Sequence, residues 1–383
     1  MAKYDYLIIG SGLFGSVFAH EAVKLKKEVL VLERRPHIGG NLYCQRKNDI
    51  WLHCYGAHIF HTNSKLIWDY VNHITEFKQY IHMPLANYKG QIYNLPFNMH
   101  TFYQMWGTTT PEQARKKIDH QKKVLAKEPQ NLEEQALASV GEELYLKLIK
   151  GYTEKQWGRP CKELPPFILN RIPLRYRYDN NYFNCSYQGI PLGGYNPLIE
   201  GLLEGSEIIL GEDFNEQRSK YEHMAHKLIY TGPIDAYFNY CYGQLAYRSL
   251  SFKSELLEIE NYQGTAVMNF TDRETPYTRI IEHKHFEFAN QPVTWITKEY
   301  PLEWTIEKEA YYPINDLKNQ ALYKKYAQLA KNEKNVLFGG RLAQYRYYDM
   351  DQIIEQALTL AHLELKGKKE NMDAKNIGNC SYF

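Results

Sequence analysis

The first 35 residues combine short apolar runs, a glycine-rich turn and a helical pattern. The apolar run at residues 6–9 leads directly into Gly10-Ser11-Gly12-Leu13-Phe14-Gly15. Apolar residues recur at helical spacing through residues 19–23, and a second apolar run at 28–32 ends in Glu33. Strand, glycine turn, helix, strand and acid in this order predict a dinucleotide-binding βαβ unit.

The chain turns helical in the region of residues 98–165. Pro111 suits the first helical position behind a threonine cap. Asn131, with Glu134 three residues later, resembles a capping box before a second helix. A third helix is predicted over residues 142–156, so we expect a helical bundle inserted at 98–165.

The pattern changes again after residue 165, where prolines, glycines and tyrosines replace the periodic segments. Residues 166–189 show no sustained period and predict an irregular, mobile loop. Alternation of apolar and polar residues at 266–270 and 278–285 instead favours strands of an antiparallel sheet. We therefore expect a second domain, an antiparallel β-sheet domain, assembled from residues 81–97, 166–189 and 241–310.

The remaining segments return to the first domain. Residues 226–231 predict a strand that runs into Gly232, and residues 336–338 predict another strand before Gly339-Gly340-Arg341. A single apolar face over residues 350–365 predicts the last helix. The expected fold class is α/β, with a Rossmann-like domain, a helical insertion and an antiparallel β-sheet domain. The Rossmann-like domain comprises residues 1–80, 190–240 and 311–367, and residues 368–383 form a tail.

Composition narrows the possible functions. The 383 residues carry 46 Lys and Arg against 44 Asp and Glu, a formal charge of +2, which is poorly suited to general binding of nucleic acid or membrane surfaces. No apolar run approaches the roughly 18–20 residues that span a bilayer. The start of the chain shows no export signal. The six cysteines form no C-x-x-C pair, which favours reduced thiols in a cytoplasmic protein over a disulfide frame or a zinc ribbon.

The residues that follow the second predicted strand bear on the cofactor. Glu33 would accept hydrogen bonds from an adenosine ribose, which suits FAD or NAD better than the 2′-phosphate of NADP. The glycine pair in Gly39-Gly40-Asn41 resembles that of the flavoprotein group that includes amine oxidases and the Rab dissociation inhibitors. The glycines at 339–341 fit the same plan, with a second helix N-terminus near the flavin. FAD is therefore favoured over NAD.

Histidines cluster between residues 53 and 61. His53, Cys54, His58 and His61 lack a second, matched pair of ligands at zinc spacing, so no metal site is predicted. For His58 the favoured interpretation is an imidazole that places a hydrogen bond near the flavin ring. For His61 a position in the core competes with a role in the site.

Aromatic and cationic residues indicate an anion site. Tyrosine accounts for 33 of the 383 residues, and Tyr152 and Trp157 lie five apart at the end of the predicted bundle. Guanidinium groups are the usual bidentate partners of a diphosphate. The candidate arginines are Arg171, Arg175, Arg279, Arg341 and Arg346. An aromatic platform with dispersed arginines is typical of a pocket for a nucleoside diphosphate.

Seven motifs together resemble the UDP-galactopyranose mutase family of the bacterial type. They run in the family's order from about residue 3 to about residue 365 and are GSGLFG, GGN, YGAHIFHT, GYTEKQWG, TRIIEHKHF, YYPIND and GGRLAQYRYYDMD. The resemblance implies an FAD-binding Rossmann-like domain with a helical bundle and a six-stranded antiparallel sheet, usually in a homodimer. The implied enzyme is an isomerase that interconverts UDP-galactopyranose and UDP-galactofuranose, a precursor for polysaccharide biosynthesis. Its implied chemistry is covalent catalysis through N5 of reduced FAD, without net redox change.

The resemblance also implies roles for individual residues. The implied catalytic residues are Arg171, Arg279 and His58. The residues implied to bind the substrate are Tyr152, Thr153, Trp157, Arg171, Tyr182, Asn269, Arg279, Tyr312 and Tyr347. The residues implied to hold FAD are Gly10, Gly12, Phe14, Gly15, Glu33, Arg34, Gly40, Asn41, His58, Ile59, Phe214, Arg341, Asp349 and Met350. Tyr178 and Tyr187 compete with Tyr182 in this assignment, and Tyr311 competes with Tyr312.

Two other functions remain open on the sequence. An amine-oxidase-like flavin oxidoreductase would share the N-terminal pattern, but it gives the dispersed arginines no role. A non-catalytic binding protein of the Rab dissociation inhibitor type would keep the fold without using a flavin. The intact glycine turn and Glu33 argue against that second alternative.

Overall fold

The computed structural model describes residues 2–171 and 174–366, except for the side chains of Asn170 and Arg171. The tail predicted for residues 368–383 therefore lies outside the described residues. The strands of the described chain are, in order, Tyr4–Ile9 (β1), Val29–Glu33 (β2), Cys44–Lys47 (β3), Ile50–His53 (β4), Phe60–Thr62 (β5), Phe77–Gln79 (β6), Leu85–Tyr88 (β7), Gln91–Asn94 (β8), Tyr187–Pro191 (β9), Glu207–Leu210 (β10), Ala225–Tyr230 (β11), Tyr247–Leu257 (β12), Val267–Phe270 (β13), Arg279–Glu282 (β14), Thr294–Glu303 (β15), Tyr312–Pro313 (β16) and Val336–Phe338 (β17).

Many of the chain connections between consecutive strands contain helices. The α-helices are Leu13–Lys24 (α1), Lys65–Ile74 (α2), Met99–Trp106 (α3), Pro111–Gln121 (α4), Leu132–Ser139 (α5), Glu142–Leu144 (α6), Gly151–Trp157 (α7), Asn196–Leu203 (α8), Arg218–Tyr221 (α9), Ile234–Tyr237 (α10), Leu317–Ala330 (α11), Gly340–Ala343 (α12) and Met350–Leu365 (α13). A π-helix covers Tyr145–Lys150, and 3-10 helices cover Gly40–Leu42, Cys161–Glu163, Pro166–Arg171 and His283–Phe286. None of the helices in the described residues is long and apolar enough to cross a membrane.

The first unit is built on a five-stranded parallel sheet with the order β10-β2-β1-β11-β17. Alternate residues of the central strand β1 feed two separate cores. Tyr6 and Ile8 pack with α1 and α13, whereas Leu7 and Ile9 pack on the other face of the sheet. Because both faces are covered, residues 6–9 of β1 and 29–32 of β2 form continuous apolar runs. The predicted α/β class with a Rossmann-like domain is confirmed.

A second sheet of seven strands has the order β16-β12-β15-β14-β13-β7-β8. Its neighbouring strands are antiparallel, except that β13 and β7 run parallel. It is thus larger than the six-stranded antiparallel sheet that the family resemblance implied, and it is mixed at one pair. The strand predicted over 278–285 ends at Glu282, because the chain turns there into the 3-10 helix that buries His283 and Phe286.

The helices from α3 to α7 form a unit around a hydrophobic core that also includes residues of β7 and β8, and Phe102, Ile118 and Leu144 contribute fully buried side chains to it. The predicted helix over 142–156 is present but not uniform. It runs as α6, then the π-helix Tyr145–Lys150, then α7. A π-helix carries an extra residue in each turn, and such insertions occur often at functional sites.

The segment predicted as a loop of the sheet domain, residues 166–189, packs differently from that prediction. Leu169 and Leu174 join the core of the helical unit. Further on, β9 lies between β5 and β6 in a small three-stranded sheet next to the Rossmann-like unit. The segment therefore connects two units instead of extending the seven-stranded sheet. The mobility predicted for it stays a prediction.

The helical unit provides a test of this packing through two neighbouring aromatic residues. Phe102 is 0% exposed in its core, whereas Tyr103 on the same helix is 57% exposed. Phe102→Ala should lower the free energy of unfolding by about 3–5 kcal/mol, because it leaves a cavity in a packed core. Tyr103→Ala should change it by less than about 0.5 kcal/mol. Chemical denaturation of both variants measures the difference, and equal losses would contradict the core assignment.

Candidate active site

The turn between β1 and α1 lines the first of two cavities. Gly10 has a φ of +98°, in the left-handed region that favours glycine. A Cβ atom on Gly15 would lie 2.1 Å from the carbonyl oxygen of Gly10, so α1 approaches the turn too closely for any side chain. A Cβ on Gly12 would instead meet no protein atom within 4 Å. The turn therefore presents bare backbone to the cavity, as a dinucleotide pyrophosphate requires.

The second glycine pair packs directly against this turn. The N–H of Gly39 donates to the carbonyl oxygen of Ser11 at 3.1 Å. A Cβ on Gly40 would lie 3.2 Å from the Cα of Gly12. Both glycines of the pair have positive φ, 90° at Gly39 and 54° at Gly40. Two turns that are far apart in sequence thus form one glycine-lined wall.

Glu33 orders the glycine turn as well as lining the cavity. Its Oε2 accepts hydrogen bonds from the N–H of Ser11 at 2.9 Å and from the Ser11 hydroxyl at 2.7 Å. Its Oε1 accepts from the N–H of Arg35 at 3.0 Å. A carboxylate has about four lone-pair sites, so Glu33 keeps acceptor capacity for a ribose hydroxyl. The sequence indicated only the ribose contact.

Most residues predicted to hold the cofactor meet around this cavity. Those that line it are Gly10, Gly12, Phe14, Gly15, Glu33, Arg34, Gly40, Asn41, His58, Phe214, Arg341 and Met350. Ile59 is not part of the lining, because it is buried in a neighbouring core. Asp349 lies just before α13, where its N–H donates to Oε1 of Gln352 at 3.0 Å.

An acidic residue that the sequence analysis missed sits beside the predicted arginine of this cavity. Oε2 of Glu309 accepts from Nη2 of Arg34 at 2.5 Å and from Nη2 of Arg35 at 2.8 Å. The two guanidinium groups hold the pKa of Glu309 below its usual range against the opposing effect of burial. Glu309 belongs to the connection between β15 and β16, so this pairing joins the seven-stranded sheet to the Rossmann-like unit.

Arg341 links the first cavity to the second. It lines the first, and its Nη2 donates to the carbonyl oxygen of Tyr348 at 2.6 Å. Its guanidinium lies 4.5 Å from the ring centre of Tyr347, a residue of the second cavity. Next to it, a Cβ on Gly339 would lie 2.1 Å from the ring of Phe14, so the glycine makes room for that ring. The predicted helix at this point is the single short turn α12.

His58 is held by its backbone. Its N–H donates to Nδ1 of His53 at 3.2 Å, and its carbonyl oxygen accepts from the hydroxyl of Tyr195 at 3.1 Å. Burial, together with the charges of Arg341 and Arg279, lowers the pKa of His58 to about 4. The imidazole is therefore neutral at pH 7, with one N–H donor and one acceptor nitrogen, and a hydrogen bond to the Gly56 backbone engages one of the two.

The other histidine of this motif lies in a packed environment. The His61 ring stacks on Phe183 with 3.7 Å between centroids, and its Nδ1 lies 3.4 Å from Sγ of Cys185. Of the two interpretations left open for His61, these contacts favour a position in the core. Among the described residues, no group of three or more His, Cys, Asp or Glu side chains is placed to hold a metal ion.

The second cavity lies between the helical unit and the seven-stranded sheet. Five of the residues predicted to bind a substrate line it, namely Tyr152, Trp157, Arg279, Tyr312 and Tyr347. The polar residues of the lining that were missed are Gln156, Arg159, Glu163, Arg248, Asn315 and Asp316. Oε1 of Gln156 is buried and has no hydrogen-bond partner among the described residues. A ligand donor could satisfy it.

A row of polar side chains crosses the sheet beneath this cavity. Asn269 on β13 lies opposite Arg279 on β14, which lies opposite Glu299 on β15. Residues directly opposite in antiparallel strands project from the same face. Nε of Arg279 lies 3.1 Å from Oε1 of Glu299, and Nη2 of Arg279 donates to the hydroxyl of Tyr152 at 3.0 Å. Arg279 thus joins the sheet to α7.

The pair of Arg279 and Glu299 is largely removed from water, with side-chain exposures of 23% and 2%. Burial works against the charge of Arg279, but the Glu299 carboxylate, together with Tyr152, Tyr312 and Tyr182, outweighs it and raises the pKa of the guanidinium. On the far side of Glu299, a Cβ on Gly56 would lie 3.5 Å from Oε2. The backbone that leads to His58 therefore packs on this carboxylate, and the two cavities share a wall.

The remaining predicted residues occupy different surroundings. Thr153 is buried, and the buried Oδ1 of Asn269 has no hydrogen-bond partner in the part of the chain that the structure describes. Tyr182 packs against His82. Arg171 ends a 3-10 helix, but its side chain lies outside the described residues.

Two arginines considered as phosphate partners have other contacts. Arg175 is buried and donates to the carbonyl oxygen of Tyr182 and to Oδ1 of Asn184. Arg346 is exposed, with its guanidinium 5.3 Å from the ring centre of Tyr348. Neither arginine lines the two cavities. The sequence did not distinguish them from Arg279, because only the fold determines which cation faces the site.

Two family models match the chain. The model described as UDP-galactopyranose mutase matches residues 147–347, which contain most of the second cavity. The model described as an NAD(P)-binding Rossmann-like domain matches residues 8–74, which contain both glycine turns. Each matched segment therefore contributes residues to one of the two cavities.

Comparisons over the whole chain find similar proteins that are described as pyranose mutases. A probable UDP-galactopyranose mutase from Klebsiella pneumoniae is 41% identical over 94% of this chain and 94% of its own. A dTDP-fucopyranose mutase from Escherichia coli is also 41% identical, over 95% of this chain and 99% of its own. A crystal structure of reduced UDP-galactopyranose mutase matches with a TM-score of 0.76 at 15% identity, over 98% of both chains, which supports the fold.

The glycine-lined wall yields a matched pair of variants. In Gly15→Ala the new methyl group meets backbone, so the substitution should destabilise the protein by about 1–3 kcal/mol. In Gly12→Ala the methyl group stands in open space and the backbone is extended, so stability should change little. That methyl group should nevertheless reduce the flavin retained on purification, because it keeps the pyrophosphate off the backbone.

Thermal unfolding of the cofactor-free proteins and flavin absorbance per mole of protein measure the two effects separately. Full flavin retention in Gly12→Ala, at unchanged stability, would contradict the placement of the dinucleotide against this turn.

Proposed function

The chain belongs to the UDP-galactopyranose mutase family of isomerases, and on that premise we propose that it interconverts UDP-galactopyranose and UDP-galactofuranose with reduced FAD as its cofactor. One observation carries the proposal. A glycine-lined dinucleotide cavity adjoins a second cavity that combines aromatic side chains with a half-buried, ion-paired guanidinium. A flavin and a nucleotide sugar can therefore meet at the shared wall.

The lining of the first cavity fits FAD. Gly12 and Gly40 leave backbone exposed for the pyrophosphate, and Glu33 keeps acceptor capacity for the ribose. Arg34 and Arg341 supply positive charge at the same cavity. His58, neutral because of its low pKa, would orient a flavin edge by a hydrogen bond without adding a charge. These residues would hold FAD with its ring toward the second cavity.

The second cavity fits a nucleoside diphosphate. Tyr152 and Trp157 would stack with the base. The buried oxygens of Gln156 and Asn269, which have no hydrogen-bond partner among the described residues, would be available to the single N–H group of a uracil base. Arg279 would bind the diphosphate, assisted by the hydroxyls of Tyr312, Tyr347 and Tyr182. Arg171 would add a second guanidinium from the neighbouring segment.

Bound reduced FAD would supply the nucleophile of the reaction at its N5 atom. The residues of this chain would then have two tasks. They would hold the sugar against the flavin in a fixed orientation, and they would stabilise the negative charge of the departing diphosphate. Arg279 is suited to the second task, because Glu299 keeps it charged in a partly dry site.

Some expectations drawn from the sequence stay predictions. These are the homodimer, the cytoplasmic location and the supply of a sugar for polysaccharide biosynthesis. Size-exclusion chromatography with light scattering would measure the first of them directly.

A second candidate substrate is favoured by one specific observation. The dTDP-fucopyranose mutase from Escherichia coli is as similar to this chain as the Klebsiella relative, at 41% identity. The alternative substrate is therefore a dTDP-linked 6-deoxy sugar. Titration of the reduced protein with UDP and with dTDP separates the two candidates. We expect UDP to bind more tightly, and a clear preference for dTDP would favour the second candidate.

The main test of the proposed function is an assay with purified protein. The protein should be yellow, and it should convert UDP-galactofuranose to UDP-galactopyranose only when dithionite keeps the flavin reduced. Chromatography of the sugar nucleotides measures the conversion. Equal turnover with fully oxidised flavin would overturn the proposal, as would oxygen consumption with an amine substrate in place of sugar conversion.

The role of Arg279 is tested with a second arginine as a matched control. Arg279→Ala should reduce turnover by roughly a hundredfold or more, because the diphosphate loses a charge-assisted, bidentate partner. Arg279→Lys should retain part of the activity. Arg346→Ala, at an exposed arginine outside both cavities, should behave like the wild type. Steady-state kinetics at equal flavin content measure all three, and unchanged kinetics in Arg279→Ala would remove this residue from the site.

A further inference from the structure

Helix α7 presents two neighbouring faces to different parts of the molecule. One face carries Tyr152 and Gln156 into the second cavity. The other carries Gly151 and Lys155, four residues apart, toward the connection between β13 and β14. The second face has no part in the chemistry described above, yet it contains a largely buried lysine.

The ammonium group of Lys155 is fully used by backbone carbonyl oxygens. Its Nζ donates to the carbonyl oxygen of Phe270 at 2.8 Å, to that of Thr275 at 3.0 Å and to that of Tyr277 at 3.0 Å. Three acceptors match the three N–H donors of a protonated lysine. Within the described residues, Lys155 forms no ion pair with a carboxylate. Its side chain holds the connection between β13 and β14 by hydrogen bonds, and no carboxylate of the described residues pairs directly with its charge.

The connection that Lys155 binds leads into two strands of the substrate cavity. It leaves β13 just after Asn269 and enters β14 at Arg279. The fit to α7 is close, since a Cβ on Gly151 would lie 2.4 Å from the carbonyl oxygen of Thr271. The same docking sets the 3.0 Å contact between Tyr152 and Arg279. The position of α7 on this connection therefore fixes the aromatic side chains relative to the polar row of the sheet.

We propose that Lys155 is a positioning residue for nucleotide recognition. Its protonated side chain docks α7 onto the β13–β14 connection and thereby sets the distance between Arg279 and the side chains of Tyr152 and Trp157, which would stack with the base. This inference rests on the proposed function, since it assumes that a nucleotide binds in the second cavity. Lys155 acts through its neighbours and does not line the cavity itself.

The docking depends on the protonation of Lys155. Burial lowers the pKa of Lys155 to about 8, although the nearby carboxylates of Asp272 and Glu274 oppose the shift. Other charged groups here are Arg273, which pairs with Glu154 at 3.8 Å, and Lys89, which pairs with Glu274 at 2.8 Å. Arg248 donates to the Lys155 carbonyl oxygen at 3.5 Å.

The direction of the pH effect follows from the number of donors. Below about pH 8 the ammonium satisfies three carbonyl oxygens, whereas the neutral amine above that pH has two N–H donors. Nucleotide affinity should therefore fall as the pH rises through about 8.

The experiment measures UDP binding by calorimetry on the flavin-loaded protein, with flavin content as an independent readout. Lys155→Met should weaken UDP binding roughly tenfold at pH 7, the loss expected for one charge-assisted hydrogen bond. Its flavin content should equal that of the wild type. Lys162→Met is the control, because Lys162 is 74% exposed and contacts neither cavity. The control should bind UDP like the wild type.

A pH series from 7 to about 9 adds a readout that a general loss of stability would not produce. Wild-type affinity should fall through about pH 8, whereas Lys155→Arg stays charged and should not show this fall. Titration of UDP itself affects both proteins equally and cancels in the comparison.

Wild-type affinity in Lys155→Met would overturn the inference. If that variant does not fold, the same fall in affinity in Lys155→Arg would overturn it. A wild-type protein that keeps its flavin but binds no UDP would instead overturn the proposed function, and the inference with it.

Discussion

The structure depends on one half-buried cation, Arg279, and its buried counter-charge, Glu299. Arg279 and Glu299 lie opposite each other on neighbouring strands, and removing one partner of such a pair typically costs about 3–5 kcal/mol. Three parts of the molecule meet at this pair. The sheet provides both residues, α7 contributes the hydroxyl of Tyr152, and the loop that carries His58 packs its backbone on the carboxylate at Gly56. The pair thus positions the two cavities against each other.

This arrangement suggests why the chain needs no conspicuous catalytic side chain of its own. In the proposed reaction the cofactor supplies the nucleophile, so the protein must bind, orient and stabilise charge. The elements that do this are a bare glycine wall, a neutral imidazole at His58 and a guanidinium kept charged by Glu299. Glu309 and Lys155 support these elements, because their hydrogen bonds hold loops of the seven-stranded sheet against the other two units.

Local signals in the sequence were sufficient for the parts of the site that form within a short stretch of chain. The glycine turn, the acid that ends β2 and the apolar face of α13 all lie within single elements, and the structure has them where the pattern predicts. Contacts set by strand register were beyond reach. In the sequence, Glu299 is one charged residue in a segment of alternating polar and apolar positions. Only the pairing of β14 with β15 places it opposite Arg279. Lys155 has the sequence context of a surface charge, and only the fold shows that its ammonium group donates to three carbonyl oxygens. Residues 166–189 show no periodicity that would indicate which unit they pack on.

In the proposed reaction, Arg279 receives the diphosphate at the wall between the cofactor and the side chains of Tyr152 and Trp157. A crystal structure of the reduced, flavin-loaded protein with UDP would show this contact or its absence. We expect a diphosphate oxygen within about 3 Å of the Arg279 guanidinium, with the Glu299 pair intact and the flavin against the glycine wall. UDP bound elsewhere, or a guanidinium turned away from the phosphates, would refute this placement.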